Sequence, residues 1–196
     1  MKLFVFTDIH AQPRFMKAVA QRVKKAKPDA VICAGDISIF EHGFVKAMQW
    51  LSKLHSKTFF LHGNHETLEH SKFLCEKFGV TFLHKKTVEL NSICLAGWGG
   101  GGFSLVEPDL ERFLARTKLP SRTVLVTHAP PFGTKLDYLG KHWGHVGNKS
   151  LTRFLKKNKN IMLAVSGHIH ETFEKTDVVG KTIVVNPGPL GMLIEV

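Results

Sequence analysis

The chain reads as an α/β protein, built of mixed sheets with helices on the outside. Three observations predict this. Strand and helix patterns alternate from the N-terminus. The strand runs LFVF, AVICA, TFFL, TVLV and MLAVS are continuously apolar, as strands buried on both faces are. Each of these runs is followed at once by a short polar cluster. The clusters are Asp8-Ile9-His10, Gly35-Asp36, Gly63-Asn64-His65-Glu66, Thr127-His128 and Gly167-His168-Ile169-His170. Strands of one parallel sheet would deliver all five to the same edge.

The elements follow in order. Lys2–Phe6 is a strand. Phe15, Val19, Val23 and Ala26 mark one face of a helix, bracketed by Pro13 and Pro28. Ala30–Ala34 is the second strand. Phe44, Met48, Leu51 and Leu54 mark the second helix, and Thr58–Leu61 the third strand. A third helix carries Leu68, Phe73, Leu74 and Phe78, with Gly79 as its C-cap. The pattern then shifts to short strands at Val80–Leu83, Thr87–Leu90 and Ser92–Ala96, with a turn at Asn91. Gly97–Gly102 reads as a mobile loop near the site. Leu110, Phe113 and Leu114 give a short helix, Arg122–Val126 a strand and Pro130–Asn148 a polar loop. Leu151, Phe154 and Leu155 give the last helix. Ile161–Val165, Glu171–Val178, Thr182–Val185 and Leu190–Val196 finish as strands. No repeat, linker or low-complexity tract divides the chain, so residues 1–196 are expected to form one domain.

Composition narrows the class. A chain of 196 residues can bury roughly 70% of its unfolded surface. Hydrophobic content of 43% and charged content of 22% are those of an ordinary globular protein. The first apolar run ends at Phe6, shorter than the ~7–15 residues of a signal-peptide core. No run approaches the ~20 residues of a membrane span. A cytoplasmic protein with no membrane partner is expected. Cys33, Cys75 and Cys94 lack the spacing of a zinc knuckle or a redox pair and read as buried thiols. The net charge of +11 could draw in an anionic substrate or nucleic acid. The lysine runs fall at predicted helix ends, where cations complement the helix dipole, and lack interleaved aromatics. Nucleic acid is therefore the less favoured partner and a small phosphorylated molecule the favoured one. A homodimer is compatible with the sequence, which leaves the oligomeric state open.

The clusters offer carboxylate, imidazole and amide donors, the set that Mn, Fe, Zn or Ni ions accept. A carboxylate such as Asp36 can bridge two cations ~3.5–4 Å apart and offset their repulsion. Asp8 and His10 are two apart, as are His168 and His170, so a turn in the backbone lets each pair reach metal. Asn64 adds an amide oxygen and His128 an imidazole. One Asp-x-His is common by chance. Five clusters in regular order, each behind a strand, are not.

On these motifs the chain resembles the calcineurin-like metallophosphoesterase superfamily over nearly its whole length. The segments Thr127-His128-Ala129-Pro130-Pro131, Gly133-Thr134-Lys135-Leu136-Asp137 and Asn186-Pro187-Gly188 resemble its small Icc-related branch. The resemblance implies a four-layer α-β-β-α sandwich of two mixed sheets flanked by helices. It implies that Asp8, His10, Asp36 and His170 bind one divalent ion and Asp36, Asn64, His128 and His168 a second, with manganese favoured. It implies that His65 is not a ligand but contacts the phosphate and assists the leaving group. The expected reaction is phosphoester hydrolysis by a hydroxide bridging the two metals, with phosphodiesters favoured and a nucleotide or cyclic nucleotide among the candidates. The alternatives are a nuclease and a metal-binding scaffold of the same fold without turnover. Ser38 and Ile39 replace the Asp-Arg-Gly run of protein Ser/Thr phosphatases, and the chain is too short for the capping domain of the nuclease members.

Arg14, Trp98 and His142 are expected to contact substrate, together with Asn64: Arg14 through its guanidinium, Trp98 by stacking on a base, and His142 from the loop after His128. Gly97 to Gly102 fits G-x-G-x-x-G, but no helix opens behind it, so a dinucleotide site is not expected.

Overall fold

The computed structural model describes residues 1–196. The first sheet takes β1 (Lys2–Phe6), β2 (Ala30–Cys33), β3 (Thr58–Phe60) and β4 (Thr81–Phe82) in parallel. The C-terminal strand β11 (Met192–Glu195) joins it antiparallel beside β1. The second sheet has the order β5-β6-β7-β8-β10-β9. These strands are β5 (Lys86–Leu90), β6 (Ile93–Trp98), β7 (Thr123–Thr127), β8 (Ile161–Val165), β10 (Thr182–Val185) and β9 (Thr176–Val179). Its centre is parallel, and the edge strands β5 and β9 run antiparallel.

Residue parity explains the layers. Leu3, Val5, Ile32, Phe59 and Leu61 point from the first sheet into a core shared with Leu95, Val124, Val126, Leu163 and Val165 of the second. Their neighbours Phe4, Phe6, Val31, Cys33 and Phe60 point the other way. There they meet α1 (Pro13–Ala26), α2 (Phe44–Leu51) and α3 (Leu68–Phe78) through Val19, Val23, Met48 and Leu74. On the far side, Ala96, Leu125, Ala164 and Val184 meet α4 (Pro108–Arg116) and α6 (Lys149–Lys157) through Leu110, Leu114, Leu151 and Leu155. Both faces of both sheets are covered, so the central strands carry no polar alternation. The result is a four-layer α-β-β-α sandwich.

Local chemistry sets the helix ends. Pro13 opens α1, Lys24 and Lys25 fill its last turn, and Gly79 closes α3 at φ +69°. Asn148 Oδ1 accepts the Leu151 N–H at 2.9 Å to cap α6.

The sequence-based expectations differ from the structure in four places. The five clusters come not from one parallel sheet, as the apolar runs alone suggest, but from the two sheets of the implied sandwich, whose shared core aligns their strand ends. Glu171–Val178 is not one strand. His170–Thr172 forms a 3₁₀ turn and β9 starts only at Thr176. Asn186 fixes that turn, since its Nδ2 donates to Ile169 O at 3.1 Å and Thr172 Oγ1 at 3.0 Å. Gly97 and Trp98 belong to β6 rather than to a loop. The loop Pro130–Asn148 contains a single helical turn, α5 (Gly140–Trp143). No helix is long and apolar enough to cross a membrane.

Candidate metal centre

The C-terminal ends of β1, β2 and β3 meet those of β7 and β8 in one cleft. Three donor groups form there: Asp8, His10 and His170; His10, Asp36 and His65; and Asp36, His128 and His168. Asp36 is common to two of them. Within each group one ligand atom per residue lies within 4.8 Å of the others. His10 Nε2 stands 3.1 Å from His170 Nε2, and His170 Nε2 stands 3.6 Å from Asp8 Oδ1. On the other side, His128 Nε2 is 3.4 Å from Asp36 Oδ2 and 3.0 Å from Asn64 Oδ1. Donors sharing an ion at ~2.1 Å are separated by ~3.0 Å in an octahedron and ~3.4 Å in a tetrahedron. The observed spacings of 3.0 to 3.6 Å are close to the edges of such shells.

The backbone is strained to build this arrangement. Asp8, His10, Asp36 and His168 adopt left-handed conformations, with φ of 55°, 48°, 49° and 72°. Non-glycine residues occupy this region at a cost, and such residues concentrate at functional sites. Glycines provide the clearance. A Cβ on Gly63 would fall 2.0 Å from Asp36 Oδ1, and one on Gly167 would fall 2.3 Å from Asp8 Oδ2.

Hydrogen bonds fix which nitrogen each imidazole presents. His10 Nδ1 is 3.0 Å from Ser38 O, and His128 Nδ1 is 2.9 Å from Ala34 O. A carbonyl only accepts, so each Nδ1 carries a proton, and the neutral form of each ring presents its Nε2 lone pair to the cleft. His65 is wired the opposite way. Its Nδ1 accepts the Phe40 N–H at 3.3 Å, which leaves the neutral ring protonated at Nε2. That Nε2 lies 3.8 Å from Asp36 Oδ2. His168 Nε2 is buried and has no hydrogen-bond partner. An orphaned buried nitrogen grouped with the Asp36 carboxylate and the His128 imidazole fits a ligand position.

The carboxylates are held as firmly. Thr7 Oγ1 donates to Asp8 Oδ2 at 2.7 Å, and the His168 N–H donates to the same oxygen at 3.0 Å. The His65 N–H donates to Asp36 Oδ1 at 3.0 Å. Burial alone would raise the Asp36 carboxyl, but the His128 imidazole beside it holds it well below the usual range. Burial opposes charge on His128 as well, yet Asp36 outweighs it and lifts the imidazole to about 9. Burial lowers His168 to about 4, keeping its ring neutral. Burial also lowers His65, with Asp36 opposing.

One residue essential to this geometry was given no role from the sequence. Glu66 is buried and accepts the N–H groups of Asp36 at 3.1 Å, Ser38 at 2.8 Å and Gly63 at 3.0 Å, and the Ser38 hydroxyl at 2.7 Å. It staples the loop after β2 to the loop after β3. Burial and the Asp36 charge push its carboxyl up to about 7, and the N–H donors pull it back. The signal was its place directly behind Asn64 and His65.

Three residues expected at the substrate lie elsewhere. Trp98 is 6% exposed, packs in the core under α4, and donates from Nε1 to Glu107 Oε2 at 2.7 Å. Arg14 donates to Gln12 Oε1 and lies over the Phe15 ring on the surface. His142 packs edge-on against Trp143 in α5. The cleft over the donors, about 270 Å³, is lined instead by Asn64, His65, Phe103, Leu139, Ile169 and Glu171 beside Asp36, His168 and His170. A larger hollow of about 700 Å³ lies by α4 and α6 and holds none of the donor clusters.

Residues 1–172 match the calcineurin-like phosphoesterase family. The chain belongs to this family. It is 30% identical over 199 residues to the protein MJ1162 of Methanocaldococcus jannaschii, covering 96% of this chain and 88% of that one. The fold is similar to that of TT1561 of Thermus thermophilus, with a TM-score of 0.72, 14% identity and coverage of 96% and 89%. It is also similar to the phosphopantetheinyl hydrolase PptH of Mycobacterium tuberculosis, with a TM-score of 0.67, 14% identity and coverage of 95% and 88%. Family membership and the donor clusters make the protein a metal-dependent phosphoric ester hydrolase.

Proposed function

We propose that the protein hydrolyses phosphodiesters at a two-metal centre, with Mn²⁺ as the favoured ion. Asp8, His10, Asp36 and His170 would hold one ion, and Asp36, Asn64, His128 and His168 the other. When bound, such ions neutralise charge on the phosphoryl oxygens and make water acidic enough to supply a nucleophile near neutral pH.

The chain's own residues do the remaining work. Asp36, fixed by the His65 N–H and by the Glu66 staple, sets the separation of the two donor groups. His65 keeps its Nε2–H facing the cleft and donates a hydrogen bond to the departing oxygen as charge develops there. Removing one positioned donor of this kind costs typically ~10²–10³ in rate.

One observation carries the preference for diesters. No lysine or arginine lines the cleft, and the Glu171 carboxylate does. A monoester dianion brings one more negative charge than a diester and finds no side-chain cation to receive it. The net charge of +11 is not concentrated here. With Mn²⁺ supplied, bis(p-nitrophenyl) phosphate is expected to be cleaved with a higher kcat/KM than p-nitrophenyl phosphate. The reverse order would overturn the diester assignment.

A further inference from the structure

We infer that Phe103, at the mouth of the metal cleft, and Phe40, on the outer side of His65, offer stacking surfaces for a nucleobase carried by the phosphodiester. The inference rests on the reading of the site as a phosphodiesterase and names the substrate class that site would prefer.

Both rings are large, apolar and open to solvent, at 68% exposure for Phe40 and 62% for Phe103. Neither is stray surface. Phe40 lies against His65 with ring centroids 4.1 Å apart and planes 32° apart. Phe103 meets His168 edge-on at 4.4 Å. His65 and His168 belong to two different donor groups that share Asp36. The two phenylalanines thus stand beside the two halves of the centre, on separate loops.

The chain goes to some expense to place them. Phe40 sits at φ +46°, a region that bulky side chains avoid, and is held there by its N–H bond to His65 and by the Glu41 N–H to His65 O at 3.1 Å. Phe103 follows three glycines with φ of 79°, 92° and 49°. Their loop is tied down by the Gly99 N–H to His84 Nδ1 at 2.9 Å and the Gly100 N–H to His62 O at 2.8 Å. Gly102 then passes close beside Asn64, where an added Cβ would lie 3.5 Å from the Asn64 Cβ. A planar, uncharged ring matches this mouth, because Leu139 adds apolar surface and Glu171 disfavours further anionic groups. Nucleobases are such rings, and stacking on aromatic side chains is tolerant of base identity.

The test compares two diesters that release the same p-nitrophenolate: thymidine 5′-(p-nitrophenyl phosphate) and methyl p-nitrophenyl phosphate. The wild-type protein with Mn²⁺ should favour the thymidine ester in kcat/KM by about tenfold or more. Phe103→Leu and Phe40→Leu keep apolar bulk and remove the ring face. Each should lower that ratio several-fold, and the double variant should bring it near one. Phe103→Leu lies on its own loop and gives a reading independent of any disturbance around the strained Phe40. Turnover of both esters without preference, or a preference untouched by both variants, overturns the stacking role and leaves the phosphodiesterase reading standing. Turnover of neither ester with any divalent ion overturns both.

Discussion

The floor and the mouth of the cleft are built on opposite terms. On the floor, Asp8, Asp36 and His128 are buried, and each has at least one hydrogen bond that fixes a ligand atom. At the mouth, Phe40 and Phe103 are exposed, and their rings lie against His65 and His168 without hydrogen bonds of their own. Floor geometry must be kept to a fraction of an ångström, since it sets how charge is neutralised in the transition state. The mouth has only to present surface. On the proposed reading, the reaction belongs to the floor and the choice of substrate to the mouth.

Changes on the floor should therefore abolish chemistry. The largest effect is expected for Asp36→Ala, which removes the carboxylate shared by two donor groups. Metal analysis of the purified variant should show both ions lost and turnover at background. Full occupancy would remove Asp36 from the bridging position.

Next is His65→Ala. It takes away the Nε2–H donor and spares the proposed ligand set, so kcat should fall ~10²–10³-fold while metal content stays at the wild-type value. Loss of metal together with rate would place His65 among the ligands, and unchanged kcat would remove it from the reaction.

Glu66→Ala tests whether the floor depends on the staple beneath it. Three backbone N–H groups and one hydroxyl lose their acceptor. A buried donor left unmade costs ~1–3 kcal/mol, so thermal unfolding should show a loss of several kcal/mol and metal affinity should fall ~10–100-fold. Glu66→Gln, which retains one acceptor, should lie between. An unchanged Tm in Glu66→Ala would show that these loops are held by other contacts.

The smallest effect concerns pH. In the metal-free protein His128 has its pKa raised from 6.5 to about 9 by Asp36. A folded-state pKa above the unfolded value gives stability that is complete below pH 6.5 and is lost as pH rises through about 9. The same proton must leave before His128 can bind metal. Between pH 7 and 9 the metal-free protein should lose stability while Mn²⁺ affinity climbs, at most ~tenfold per pH unit for one displaced proton. Thermal melts and metal titrations across this window would show it, and the trend should vanish in His128→Ala.

The floor was legible in the sequence and the mouth was not. Asp8, His10, Asp36, Asn64, His128, His168 and His170 each follow an apolar strand, and the strand ends bring them together. The apolar runs alone did not tell that two sheets supply them; the family resemblance implied it. Continuous apolar runs look the same whether a strand faces a helix or a second sheet, so Leu3 and Phe4 give no hint that they point to different layers. Trp98 misled because the glycines after it resemble a loop, whereas its backbone pairs with Thr127 in β7 and its ring fills the core. Phe40 and Phe103 had a faint signal. Each is a large apolar residue outside any periodic pattern, one before Glu41 and one after a run of glycines. Their placement over His65 and His168 depends on left-handed turns that no local pattern announced.

The central claim is that the strand-end clusters form a two-metal catalytic floor. Stripping the protein of metal and restoring Mn²⁺ stepwise, while following hydrolysis of bis(p-nitrophenyl) phosphate, tests it most directly. Activity should be absent without metal, rise with added ion and level off at two equivalents per chain. Hydrolysis that survives complete metal removal, or two bound equivalents with no turnover of any phosphoester, would contradict it.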